Sequence, residues 1–289
     1  MITTKTRACV VIGNPVEHSL SPQIHNAAFN ALSLDYIYVA SAVKNLKEAL
    51  HGIKALGYIG ASVTIPHKEA TLQIVDKVDE EAAAIGAINC VVVKNEELIG
   101  YNTDGRGWIK SFINGTKTTV ENKTFVVIGA GGAARAIIVS LANSGVKKII
   151  IANRTIERGV ALAKHATKVS GTPVSAIDLT DESLQKALEE ADVVVNGTSV
   201  GMHPNIDHVP FNTKLLKKNH IVCDAIFNPT PTRLLREAQQ IGCTTLSGVG
   251  MLIEQGAIAF ELWTGHQAPK YVMYNALKRN LVLPENLYD

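Results

Sequence analysis

The order of strand-like and helix-like runs constrains this chain more than any other feature. ACVVIG (8–13) reads as a strand, PQIHNAAFNALSL (22–34) as a helix and YIYVASAV (36–43) as a strand. LKEALHGIKALG (46–57) follows as a helix closed by Gly57, and ASVTI (61–65) as another strand. Successive strands joined by helical crossovers run parallel, whereas a tight turn reverses the chain. The pattern therefore predicts an α/β fold with a mostly parallel sheet covered by helices.

A second series begins near residue 124. Its clearest strands are TFVVIG (124–129), KKIIIA (147–152), DVVVNG (192–197) and HIVCDAI (220–226), and the series holds six plausible strands. Helices such as ARAIIVSLANSG (134–145) and TRLLREAQQIG (232–242) lie between them. A length of 289 residues fits two domains. The segment SFINGTKTTVENK (111–123) is polar and rich in turn residues, so the boundary is expected in or just before it. Helical patterns at 251–265 and 270–282 follow a sheet that is already complete, and are expected to pack back on the first domain. The expected division is 1–105 with 247–289 as one domain and 106–246 as the other.

Strand 124–129 runs directly into Gly129-Ala130-Gly131-Gly132-Ala133-Ala134 and then into a helix. This fits G-x-G-x-x-G/A, in which glycines permit the tight turn and let backbone approach a pyrophosphate at a helix N-terminus. A glycine-rich turn alone would be ordinary. Here strand, turn and helix all stand where dinucleotide binding on a Rossmann domain needs them. At the end of the next strand an NAD site would place a carboxylate for the ribose 2′-hydroxyl. This chain has Asn153-Arg154-Thr155 and then Arg158. Guanidinium groups grip a 2′-phosphate that a carboxylate would repel, so NADP is the expected cofactor. The plainer reading of the same residues is a Thr155 helix cap beside two solvated arginines.

The formal net charge of +2 is too small to call for nucleic acid or an acidic membrane as partner. Cys9, Cys90, Cys223 and Cys243 show no C-x-x-C spacing, which gives neither a zinc site nor a disulfide framework and suits a reducing cytosol. No apolar run has the length of a membrane span, and MITTKTR lacks a signal-peptide core. A cytoplasmic protein with no membrane partner is expected, as a monomer or a homodimer. The nine histidines form no metal constellation, and no metal is expected.

Polar residues crowd three segments of the first half. In HSLSPQIH, Ser21 before Pro22 reads as a helix N-cap, and with Ser19 offers two hydroxyls suited to a carboxylate. In SVTIPHK, Pro66 stops a strand and Lys68 is expected in the first turn of a helix, where the dipole disfavours its charge. Asn89 in GAIN and Asp104 in YNTDG lie near strand ends in turn-rich sequence, where both residue types are also common structurally.

Together these segments resemble the shikimate dehydrogenase family over essentially the whole chain. The resemblance rests on H-S-L-S-P (18–22), V-T-I-P-H-K (63–68), G-A-I-N (86–89), N-T-D-G (102–105) and G-A-G-G-A-A-R (129–135). It continues through N-R-T (153–155), N-G-T-S-V-G-M (196–202), D-A-I-F-N-P (224–229) and G-V-G-M-L-I-E-Q-G (248–256). It implies NADP-dependent interconversion of shikimate and 3-dehydroshikimate, on a substrate domain and a doubly wound NADP domain. It also implies that Ser19 and Ser21 bind the substrate carboxylate, that Thr64, Asn89 and Gln255 meet its ring hydroxyls, and that Lys68 and Asp104 form the catalytic pair. On the cofactor side it implies Gly129, Ala130, Gly131, Gly132 and Ala133 for the pyrophosphate, and Asn153, Arg154, Thr155 and Arg158 for the 2′-phosphate. Thr198 and Ser199 would lie near the adenine, and Ala225, Gly248 and Met251 near the nicotinamide, with Glu80 a further cofactor-side candidate.

The chain departs from the family pattern at three positions. Ser62 stands where Asn is frequent, Cys90 where Thr commonly follows the Asn, and Phe227 where a Tyr hydroxyl commonly helps hold the carboxylate. Two rivals remain: a quinate/shikimate dehydrogenase using NAD or NADP, and a non-catalytic Rossmann protein that binds a metabolite. Retention of both Lys68 and Asp104 counts against the second.

Overall fold

The computed structural model describes residues 2–283. The chain first runs β1 (Arg7–Gly13), α1 (Ser21–Ala31), β2 (Tyr36–Ala42), α2 (Leu46–Ala55), β3 (Gly60–Val63), β4 (Lys77–Val78), α3 (Glu80–Ile85), β5 (Cys90–Lys94), β6 (Glu97–Tyr101) and α4 (Asp104–Thr116). It continues through β7 (Thr124–Ile128), α5 (Gly132–Ala142), β8 (Lys148–Asn153), α6 (Ile156–Ser170), β9 (Val174–Asp178), α7 (Asp181–Glu189), β10 (Val193–Asn196) and β11 (Ile221–Asp224). Then come α8 (Arg233–Ile241), β12 (Thr244–Leu246), α9 (Val249–Thr264) and α10 (Lys270–Leu277).

The strands form two six-stranded sheets. The first has the order β2-β1-β3-β5-β6-β4. Its β1–β2, β1–β3 and β4–β6 pairs are parallel, while β5 is antiparallel to both β3 and β6. The β5–β6 hairpin turns at Asn95 and Glu96, both with positive φ (51° and 61°), the primed-turn geometry that suits the twist of paired strands. Val10, Ile12, Ala61, Val63 and Val91 pack with α2 on one face. On the other face Tyr38 meets the α1 rings of His25 and the α9 ring of Trp263. Trp263 Nε1 donates to Val91 O at 3.0 Å, and Gly60 leaves the space this ring fills, since a Cβ there would lie 2.3 Å from it. Thus α9 packs onto the first sheet.

The second sheet is wholly parallel in the order β12-β11-β10-β7-β8-β9. Renumbered from β7 this is the doubly wound order 3-2-1-4-5-6, whose ligand crevice lies at the carboxyl ends of the strands. The central strands are buried throughout, as continuous apolar runs such as VVI and VVV require.

The chain divides into two units. One takes in residues up to Asp104 with Ile253–Asn280, and the other Gly105–Leu252. The second crossing falls inside α9, later than residue 246, because the first turn of that helix is tied to the loop after β11. Gly248 N donates to Ile226 O, and a Cβ on Gly248 would lie 2.4 Å from Ala225 O. Residues 284–289 of the expected first domain lie outside the described residues. The segment 111–123 is also not the open linker its polarity suggests. Its first part completes α4, whose Trp108 and Phe112 stack on each other and meet Phe125 of β7.

Candidate active site

Sheet topology gathers the polar residues of the first unit at one edge. Strands β1 and β3 are parallel, so the loops leaving them, with Ser19 and Ser21 after one and Thr64 and Lys68 after the other, emerge at the same end. Strand β5 runs opposite to β3 and therefore starts at that end, directly after Asn89. Strand β6 reverses again and finishes there, delivering Thr103 and Asp104. Backbone bonds fix the register: Val63 N donates to Asn89 O, and Asn89 N to Tyr101 O.

Within this edge Lys68 Nζ donates to Asp104 Oδ2 at 2.5 Å, and both side chains are largely buried. Asn89 Nδ2 donates to the other carboxylate oxygen at 2.8 Å and to Thr103 Oγ1 at 2.9 Å. Thr103 N donates to Asn89 Oδ1 at 2.7 Å, and Asp104 N to Asn102 Oδ1 at 3.0 Å. With both oxygens engaged, the Asp104 carboxylate has a fixed plane, and it holds one of the three ammonium hydrogens of Lys68. The remaining two stay available to a ligand oxygen. Asn102 and Thr103 belong to the N-T-D-G segment but carried no role in the sequence reading; what marks them is contact, not composition.

Two local expectations fail. No α-helix follows Pro66. The chain makes turns and only a short 3-10 helix at Ala70–Gln73, so Lys68 does not sit in a helical first turn and no α-helix dipole acts on it there. The helix N-terminus at this site belongs to Asp104, whose negative charge suits the α4 dipole. Ser21 is likewise not the N-cap of α1. Leu20 holds that position, no side chain caps the helix, and Ser21 N donates instead to Ser19 Oγ at 3.3 Å. Its hydroxyl is therefore not spent on capping.

Gln255 lies on α9, next to Gly256, which packs against Ile24 and His25 of α1. Glu80 is exposed in the first turn of α3, and among the described residues no hydrogen bond joins it to the cluster.

In the second unit β7 leads into Gly129, whose φ of +105° excludes other residues without strain. A Cβ there would also lie 2.7 Å from Thr198 Cγ2. Ala134, the closing residue of the fingerprint, packs on Gly197, where an added Cβ would lie 2.7 Å from its Cβ; this brings α5 tight against the sheet. Gly131 occupies the N-cap position of α5 with no side-chain cap, so the first N–H groups of Gly132 and its neighbours form an open anion site. At the end of β8, Asn153 Nδ2 donates to Thr155 O at 2.7 Å, while Arg154 and Arg158 are exposed. Thr155 takes the N-cap position of α6 without a side-chain cap bond. These features fit a pyrophosphate and a 2′-phosphate.

Thr198 and Ser199 follow β10, and Ala225 and Phe227 follow β11. Asp224 is buried between these loops, accepting from Asn196 Nδ2 (3.1 Å), Ile226 N (3.0 Å) and Thr232 Oγ1 (2.7 Å). Burial pushes its carboxyl up to about 6. Met251 is buried in the first turn of α9. Among the described residues no group of three or more His, Cys, Asp or Glu could hold a metal ion, and no helix is long and apolar enough to cross a membrane.

Three family profiles match in order along the chain. They are the shikimate dehydrogenase substrate binding domain (residues 11–91), shikimate / quinate 5-dehydrogenase (113–230) and the shikimate 5′-dehydrogenase C-terminal domain (248–278). A shikimate dehydrogenase (NADP(+)) of Methanopyrus kandleri is 44% identical over 283 residues, 97% of this chain and 98% of that one. A crystal structure of a shikimate dehydrogenase in complex with NADP+ superposes with a TM-score of 0.91 at 41% identity, covering 98% of each chain. The shikimate 5-dehydrogenase of Listeria monocytogenes in complex with shikimate and NAD superposes with a TM-score of 0.89 at 35% identity, covering 96% of this chain and 98% of that one. The chain belongs to the shikimate dehydrogenase family.

Proposed function

We propose that this chain is an NADP-dependent shikimate dehydrogenase that reversibly reduces 3-dehydroshikimate to shikimate, with Lys68 and Asp104 as its catalytic pair. The observation that carries the reading is the Lys68–Asp104–Asn89 chain of hydrogen bonds at one sheet edge. It occurs in a chain 44% identical to an enzyme of that name. NADPH, when bound, supplies the hydride that reduces the ketone carbon.

Lys68 delivers a proton to the oxygen as negative charge develops there, and takes it back in the oxidative direction. Its ammonium also stabilises that charge directly. Asp104 aims Lys68 and is itself aimed by Asn89. Ser19 and Ser21 bind the carboxylate, and Thr64, Asn89 and Gln255 face the ring hydroxyls. Gly129–Ala133 hold the pyrophosphate; Asn153, Arg154, Thr155 and Arg158 take the 2′-phosphate. Thr198 and Ser199 lie by the adenine, Ala225, Gly248 and Met251 by the nicotinamide.

Four buried cysteines, none of them in a disulfide among the described residues, support a reducing, cytoplasmic setting. Every assigned residue comes from one chain, which a monomer and a homodimer accommodate equally. Phe227 favours a second reading, in which the same pair acts on quinate.

Lys68→Ala is expected to lower kcat at least about a hundredfold while shikimate still binds, because the serines and Asn89 remain. Near-normal turnover of this variant in a steady-state assay would remove Lys68 from the mechanism.

A further inference from the structure

One carboxylate lies behind the loops that leave β10 and β11. Asp224, Asn196 and Thr232 are 2%, 0% and 1% exposed. Among the described residues Asp224 is held by hydrogen bonds and not by a cation. Its Oδ1 accepts from Asn196 Nδ2 and Ile226 N, and its Oδ2 from Thr232 Oγ1. The bonds continue outward on both sides. Asn196 Nδ2 also donates to Val200 O at 3.3 Å, while its Oδ1 accepts from Thr198 N at 3.0 Å and Thr198 Oγ1 at 2.7 Å. An N–H can only donate and a carbonyl only accept, so Thr198 N and Val200 O fix which way the Asn196 amide points. On the other side Ala225 N donates to Asn196 O at 2.9 Å, and Ile226 O accepts from Gly248 N at 3.0 Å.

Thr198 gives its one hydroxyl hydrogen to Asn196 and accepts from Val200 N at 3.1 Å, so it has none left to donate to a ligand. What it offers is its methyl group, set over Gly129, where an added Cβ would lie 2.7 Å from it. An apolar residue would satisfy packing alone without the cost of burying a carboxylate. We propose that Asp224 is a positioning residue for the dinucleotide: through Asn196 it holds Thr198 against the Gly129 turn, and through Ile226 it joins Ala225 and Gly248 to the same frame. A site held ready in this way loses less freedom on binding. The 2′-phosphate is assigned to residues that follow β8, so loss of this frame weakens NADP and NAD alike, whereas Arg154 separates them.

This assignment rests on the dinucleotide site proposed above. The test is direct titration of NADP and NAD onto wild type, Asp224→Ala, Asp224→Asn, Asn196→Ala and the double alanine variant, with the KM for shikimate measured alongside. Asp224→Ala is expected to raise both dinucleotide Kd values at least about fivefold, the scale of one hydrogen bond, and to leave the KM for shikimate within about twofold. Asp224→Asn should stay within about twofold of wild type, because its Oδ1 serves both N–H donors and its amide can donate to Thr232 Oγ1. In the Asn196→Ala background Asp224→Ala should add less than about twofold, because the two residues act as one unit. Unchanged Kd values in Asp224→Ala, an equal rise in the shikimate KM, or an Asp224→Asn loss as large as that of Asp224→Ala would overturn the assignment. If Asp224→Ala fails to fold, Thr198→Val decides, since it removes only the hydroxyl at the end of the chain of bonds; unchanged Kd values there reject the proposal. A wild type that binds both dinucleotides without oxidising shikimate would overturn the functional reading alone, and one that binds neither would overturn both.

Discussion

On the proposed function, single side chains set the choice of cofactor and of acid. Arg154 is exposed at the end of β8, and no ion pair engages it among the described residues. Arg154→Ala is expected to weaken NADP by roughly 2–3 kcal/mol, through loss of charge-assisted bonds to the 2′-phosphate, and to leave NAD nearly unaffected. Titrations of both dinucleotides check this, and equal losses would show that the arginine reads something else. Phe227 bears on the acid. A tyrosine hydroxyl aimed at a carboxylate is worth roughly 1.5–3 kcal/mol net. Phe227→Tyr is therefore expected to lower the KM for shikimate about tenfold or more with kcat much less changed, the mark of added uniform binding. A KM that stays level or rises would mean that the pocket has been rebuilt around the phenyl ring, leaving the new hydroxyl buried and unpaired.

Elements deliver these side chains, and two loops of the second sheet are joined by one carboxylate. Asp224 accepts from Asn196, whose Oδ1 accepts in turn from Thr198 N and Thr198 Oγ1, so a continuous run of hydrogen bonds links the loops after β10 and β11. Burial raises the Asp224 carboxyl from 3.8 to about 6, so the folded chain holds this proton at a pH where the unfolded chain has released it. Its contribution to stability is then fully present below about pH 4 and is lost as pH rises through about 6, a change of roughly 3 kcal/mol. Asp224→Asn cannot titrate. The stability of wild type relative to this variant, from urea unfolding across that window, should fall by about that amount as pH rises; a flat difference would contradict the burial argument.

The sequence was most legible where strands are fully buried, as in TFVVIG and DVVVNG, because continuous β-branched runs followed by glycine leave few alternatives. The β5–β6 hairpin was not legible. Its turn residues Asn95 and Glu96 adopt positive φ without the glycine that usually announces it. Yet that hairpin is what returns the chain so that Asn89 and Asp104 meet Lys68. The short strands β4 and β12 and the largely half-exposed β9 gave equally little pattern to read.

At the scale of the whole molecule, each unit has its own sheet and its own apolar core. The motifs on which the proposed acid and dinucleotide sites rest were legible in the sequence. The run of bonds from Asp224 to Thr198 was not, since a place in a motif carries no mark of what the side chain touches. The central claim is that these two sites together oxidise shikimate with NADP. Initial rates at the reduced-nicotinamide absorbance band, with shikimate and quinate each paired with NADP and NAD, test it most directly. The account predicts the highest kcat/KM for shikimate with NADP. A higher value for quinate or for NAD, or no turnover of shikimate, would contradict it.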